Sequence, residues 1–172
     1  NHLQNMQEPP DIPQLAEDPR EGFIAWLDSP FEEGVGEQRS LEAFAKHFAT
    51  FWDFRHLDNF HFFHYNALKR DLGAAIRRIA DILETEVSET RVEEICDAVS
   101  FSAMKENAST FAPAAGKSLF KSDDAFFSNG NNAQWQGILE EPEIVRYETL
   151  LMQLLEPEAV QWLEQEHLNR RF

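Results

Sequence analysis

Little in this sequence can cross-link, span a membrane or grip a polyanion. Among 172 residues there is one cysteine, Cys96, so no intrachain disulfide can form, and a reducing, cytoplasmic setting is expected. No apolar run approaches the roughly 20 residues that a membrane-spanning helix needs, and no charged-then-apolar leader opens the chain. Basic residues are scarce: 15 Lys and Arg face 31 Asp and Glu, a formal charge of −16. Such a surface repels phosphate backbones and anionic lipid, which excludes nonspecific nucleic-acid binding and adsorption to charged membranes. It leaves room for a local basic pocket that takes one anionic ligand.

What is present is apolar and aromatic. An apolar content of 42% with fifteen phenylalanines is enough for one domain with a packed core. Most of the breakers fall in residues 7–38 (Pro9, Pro10, Pro13, Pro19, Pro30, Gly34 and Gly36), and this acidic stretch reads as an irregular connection holding one short helix over 20–27. From Ser40, a candidate N-cap, the pattern turns helical: Leu41, Phe44, Ala45, Phe48, Phe51 and Trp52 share one face. Residues 71–84 form an amphipathic helix with Leu72, Ala75, Ile76, Ile79, Ile82 and Leu83 inward. Thr90 and Glu93 make a capping-box pair for a helix carrying Val92, Ile95, Cys96 and Val99. A short helix is expected over 102–107 and a polar loop over 108–137. Pro142 and Pro157 then open two helices, the first with Ile144, Tyr147, Leu151 and Leu154 inward.

"NFHFFHY", residues 59–65, is short and aromatic, and reads as a strand. Phe60 and Phe62 would occupy one face and Phe63 the other. A strand apolar on both faces belongs inside a parallel sheet covered by helices, yet the chain offers no second strand to pair with it. Unpaired, its buried backbone groups would be unsatisfied, so the chain reads as part of a larger domain. It begins at Asn1 rather than Met, which fits a processed chain or the downstream part of a longer one.

Each candidate for chemistry in this sequence has a plainer structural role. On a strand His61 and His64 point to opposite faces and cannot chelate one metal together; half-buried sheet histidines are the better reading, and no metal is expected. "AAGKS", residues 114–118, has the Gly-Lys-Ser of a phosphate-binding loop, but Phe111 occupies the position of its first glycine. It is read as an exposed loop. Cys96 lies on an apolar helix face and reads as a small core residue. No serine sits in a nucleophile elbow, and no pair of carboxylates stands out by spacing.

Three segments in order carry a resemblance. "FHFFHYNALKRDLGAAIRRIADIL" resembles the strand–tyrosine–helix unit of the PAPS-dependent (3′-phosphoadenylyl sulfate) sulfotransferases, usually written with Tyr-Glu-Asp-Leu/Met-Lys. "VSFSAMKENA" is similar to the family's Thr-Ser-Phe-x-x-Met-Lys-x-Asn segment, and "AFFSNGNNAQWQGIL" to its Phe-Phe-Arg-Lys-Gly-x-x-Gly-Asp-Trp loop. Phe101, Met104, Lys105, Asn107, Phe126, Gly130 and Trp135 fall in register, and the match spans about residues 40–154.

The resemblance implies an α/β, P-loop-like sulfotransferase fold with a central parallel sheet. Residues 1–172 would be the C-terminal half of its single domain: mostly helical, with one core strand. It further implies an acceptor-side segment at 7–38, a helix–strand–helix nucleotide-side unit at 40–107, a nucleotide-closing loop at 108–137 and C-terminal helices at 142–172. The sulfate-cradling loop, catalytic histidine and Arg…Ser pair would precede this region, with "NHLQNM" like the helix that follows that serine. No catalytic residue is expected here, and the missing N-terminal half of the same domain is the expected partner.

Carried over singly, Tyr65 would contact the adenine, Ser100 and Phe101 would form the Ser-Phe pair packing on its ring, and Phe126, Phe127 and Gly130 would head the closing loop. Ser128 and Asn129 stand where the family has Arg-Lys, so two cations for the 3′-phosphate become neutral donors. Val99 replaces the family threonine, and the dimerisation pattern is not matched around Gln136–Val145. The implied activity is sulfonate transfer from PAPS to a hydroxyl or amine on a small-molecule or glycan acceptor. The alternatives are a non-catalytic helical interaction module derived from the same fold, and an unrelated acidic helical protein.

Overall fold

The computed structural model describes residues 16–34, 38–112, 122, 126–127 and 130–168. They are helical, in the order α1 (Pro19–Asp28), α2 (Leu41–Trp52), α3 (Tyr65–Arg70), α4 (Leu72–Ile82), α5 (Glu89–Ala98), α6 (Phe101–Glu106), α7 (Ala108–Phe111), α8 (Glu141–Leu154) and α9 (Pro157–Leu168). The chain divides into two compact units, residues 14–64 with 133–172 and residues 1–13 with 65–132.

The first unit holds α1, α2, α8 and α9. Each begins where sequence chemistry allows. Asp18 accepts the Arg20 amide at 2.8 Å, and Pro19 adds a preset φ at the start of α1. Ser40 caps α2 by accepting the Ala43 amide at 3.1 Å, as expected from sequence. Glu140 and Glu143 form the capping box of α8, with the Glu140 amide 2.8 Å from Glu143 Oε2. The helices close on Leu27, Leu41, Ala45, Trp52, Leu151, Leu155 and Ala159, all buried. Each large apolar side chain buried here contributes about 1.5–3 kcal/mol.

Aromatic rings finish this core. Trp52, Phe62 and Trp162 meet pairwise at centroid distances of 5.5 to 5.6 Å, and Phe48 stacks on both tryptophans at 5.4 and 5.9 Å. Polar ties lock the rim. Arg20 forks onto Glu140 at 3.0 and 2.9 Å and reaches Glu143 at 2.7 Å. The Trp52 indole donates to Glu156 at 2.6 Å, and Arg55 reaches Glu156 and Glu158. Burial, reinforced by Glu164 accepting from its hydroxyl at 2.7 Å, pushes the Tyr147 phenol well above its ordinary range.

The expected strand over 59–65 is not formed. Residues 61–64 carry no regular structure, Tyr65 opens α3, and no strand occurs among the described residues. A strand exists through its ladder, and none of the described residues supplies one. The phenylalanines serve a helical core instead: Phe62 packs on Trp52 and Trp162, and Phe60 rests against Phe51 and Phe54 at 6.4 and 6.1 Å.

The second unit holds α3 to α7 and is thinner. Asp71 caps α4 by accepting the Ala74 amide at 2.8 Å. The α5 cap is Ser88, two residues before the expected Thr90, because its hydroxyl accepts the Arg91 amide at 3.2 Å. Val92 is buried beside Gly73, where α4 and α5 pack together. The expected inward face of α4 is only partly covered: Leu72, Ala75, Ile76 and Ile82 are half-buried, whereas Ile79 and Leu83 are 40% and 66% exposed. Within the expected 108–137 loop, α7 and Ala112 pack with Phe127, Met104 and Phe126 in a small second core.

Candidate functional site

The residues singled out from sequence lie in the second unit, and three separate segments bring them together. Tyr65 is the first residue of α3 and is 65% exposed, so its ring is open to a ligand. Phe101 begins α6, directly after Ser100. The Ser100 hydroxyl accepts the Ala103 amide at 3.2 Å, which makes it the cap that fixes where Phe101 stands.

Phe126, Phe127 and Gly130 arrive from the third segment. Phe127 is 8% exposed and sits edge-on to Phe126 at 5.1 Å and to Phe101 at 6.0 Å. It therefore backs the site from within, while Phe101, 40% exposed, keeps open surface. Gly130 lies against the Phe101 ring: a Cβ built there would come within 3.0 Å of Cγ and Cδ2. Only glycine lets the backbone approach an aromatic face so closely. Ser128 and Asn129, and with them Lys117, Lys121 and the "AAGKS" stretch, lie outside the described residues.

A polar tie completes the geometry. Lys69, in the last turn of α3, donates to the Gly130 carbonyl and, at 3.1 Å, to Asn132 Oδ1. Asn132 Nδ2 in turn donates to Asn66 Oδ1 at 2.7 Å. The Lys69 ammonium lies 5.9 Å from the centre of the Tyr65 ring, within cation–π range. Lys69, Asn66 and Asn132 were not singled out from sequence. Read as the end of a strand, Tyr65 has no i, i+4 neighbour; as the first residue of a helix it has one, and that neighbour is Lys69.

Chemically, the arrangement offers two exposed aromatic rings, Tyr65 and Phe101, a glycine backbone laid against the second and one cation near the first. That set suits a flat heteroaromatic ring carrying negative charge. The histidines play no part in it: His61 is exposed, and His64 pairs Nε2 with the Leu163 carbonyl at 3.0 Å beside the Trp162 ring. Among the described residues no group of three His, Cys, Asp or Glu side chains is placed to hold a metal. No helix there is long and apolar enough to cross a membrane.

The profile of the sulfotransferase domain matches residues 4–156. The chain belongs to the sulfotransferase family. A glycolipid sulfotransferase of Mycobacterium bovis is 29% identical over 175 residues, covering 95% of this chain and 52% of that protein. A glycolipid sulfotransferase of Mycobacterium tuberculosis is 29% identical over 166 residues, covering 91% and 49%. A luciferin sulfotransferase of Photinus pyralis is 24% identical over 119 residues, 66% of this chain and 32% of its own length. The chain thus spans about half the length of these two glycolipid sulfotransferases. No solved structure matches it.

Proposed function

We propose that the chain serves a PAPS-dependent sulfotransferase, and that Tyr65, Phe101 and Gly130 form the adenine-facing part of its donor site. The observation that carries this reading is the seating of Gly130 on the Phe101 ring beside an open Tyr65. A planar base gains about 1–3 kcal/mol from each aromatic face it stacks on, and glycine at 130 lets that backbone lie against the Phe101 ring. Ser100 holds Phe101 in place, and Phe126 and Phe127 brace it. Ser128 and Asn129 would meet the 3′-phosphate with neutral donors, a weaker grip than a cationic pair gives. PAPS itself supplies the sulfonate, held on a phosphate leaving group; this chain's residues bind and orient the adenosine end.

The wider architecture is proposed on family grounds: a P-loop-like α/β domain with a central parallel sheet, of which residues 40–107 are the nucleotide side and 7–38 the acceptor side. The rest of the domain would be the partner of these residues. The acceptor would be a small molecule or a glycan, with glycolipid favoured because matches covering more than nine-tenths of the chain are to proteins that bear that name, and the setting cytoplasmic. Every matched motif lies on the nucleotide side, so the 172 residues by themselves are expected to bind without turning over.

Calorimetric titration with adenosine 3′,5′-bisphosphate (PAP) tests the site. Saturable binding that Phe101→Ala weakens about tenfold, the loss of one stacked face, supports it; no binding to the chain joined to the remainder of its domain sinks it. Sulfonate transfer from labelled PAPS by these residues alone would overturn the division of labour. The second reading, a non-catalytic module of the same fold, is favoured by Ser128-Asn129 and gains if PAP fails to bind.

A further inference from the structure

We infer that Lys69 is a positioning residue of this site, a tie that seats Gly130 on Phe101 and beside Tyr65. The inference rests on the nucleotide reading above and adds a residue to it. Three observations converge. The Lys69 ammonium donates to the Gly130 carbonyl and to Asn132 Oδ1. Asn132 is held a second time, by Asn66 from the first turn of the same short helix. The cation also lies over the Tyr65 ring. Helix α3 therefore holds the segment 130–132 through two side chains one turn apart, Lys69 on the Gly130 carbonyl and the Asn132 side chain, Asn66 on the Asn132 side chain.

The physical consequence concerns the Gly130–Phe101 contact. Gly130 has no side chain of its own to anchor it, and it lies close enough to Phe101 that a Cβ there would come within 3.0 Å of the ring. A carbonyl tied to an ammonium is fixed in direction, so the amide plane of residue 130 is presented to the ring in one orientation. An ammonium carries three protons, and these two bonds use two of them. The third remains for an anionic ligand group, on a chain whose net charge is −16. The arrangement also accounts for a position the sequence left unexplained: a site whose neighbouring Arg-Lys has become Ser128-Asn129 keeps one cation, delivered from another segment.

Two readouts on the intact chain test this, with Lys69→Met removing the ammonium and Lys69→Arg keeping a cationic donor. The first is the carbonyl carbon resonance of Gly130 with the side-chain amide signals of Asn132 in NMR spectra, helicity by circular dichroism serving as the folding control. In Lys69→Met both sets should shift at unchanged helicity, and Lys69→Arg should return them toward wild type. The second is PAP affinity, which should fall about three- to tenfold in Lys69→Met, the range for a solvent-exposed charge-assisted bond, and recover in Lys69→Arg. Unshifted resonances in Lys69→Met overturn the tie and leave the nucleotide reading standing. Shifted resonances with unchanged PAP affinity overturn the positioning role. Shifted resonances in Lys69→Met, together with no PAP binding by the wild-type chain joined to the remainder of its domain, overturn the nucleotide reading, and the tie is then structural only.

Discussion

The two units of this chain spend their aromatic residues differently. In the unit of α1, α2, α8 and α9, Trp52, Phe62 and Trp162 interlock over a core whose central Leu151 is fully buried, and arginines clamp its rim. In the unit of α3 to α7, Tyr65 and Phe101 stay open, Ile79 and Leu83 are exposed, and among the described residues the buried apolar side chains are Val92 and a small cluster around Phe127. Rings that stabilise must be covered on both faces, and rings that bind must keep one free. The helices around the candidate site accordingly carry less buried apolar surface than the scaffold does. Local stability and ligand readiness compete for the same side chains.

The largest effect should come from the scaffold. Leu151→Ala removes a fully buried side chain and should cost about 2–5 kcal/mol in denaturant unfolding. Next is Gly130→Ala: a methyl at 3.0 Å from the Phe101 ring must push it aside, an overpacking of about 1–3 kcal/mol that should weaken PAP binding about tenfold while leaving the tryptophan environment of the scaffold unchanged. A smaller effect should follow pH. Hydrogen bonding from Arg20 holds the Glu143 carboxyl below the ordinary range, as Arg77 does for Glu89. A depressed folded-state pKa means that these pairs add stability above the ordinary carboxylate range and lose it as pH falls through the folded value. Melting temperatures of wild type and Arg20→Met should therefore differ at neutral pH and converge on the acid side. The smallest change is expected from Ile79→Ala, within about 0.5 kcal/mol, since that side chain is already 40% exposed. An Ile79→Ala loss equal to that of Leu151→Ala would erase the contrast between the units.

Much of the helical layout was legible because it rests on local chemistry. The Ser40 cap, the proline starts of α8 and α9, and the half-buried Ile144 and Tyr147 followed from spacing alone, whereas Pro19, read as a breaker, opens α1. Misreadings fell where tertiary partners decide. Leu154 was expected inward, but Leu155 is the buried neighbour, because α8 ends there and periodicity does not extend past the last turn. The strand over 59–65 failed because aromatic content marks a segment that wants burial without saying whether a sheet or a helical core provides it. Of the candidate site, Phe101, Phe126, Phe127 and Gly130 were named by motif, and these four pack against one another. That Phe127 would be buried while Phe101 stays open was not readable, since both are the same residue type.

Sequence by itself determined several helix starts, the acidic composition, the family and the residue types present at the candidate site. These depend on neighbours within a turn or on composition. Tertiary structure alone decided that Lys69 and Asn66 hold Gly130 and Asn132 across more than sixty positions. A hydrogen bond between distant segments leaves no period in the chain. Its existence depends on the angle at which a short helix presents one ammonium, and packing sets that angle.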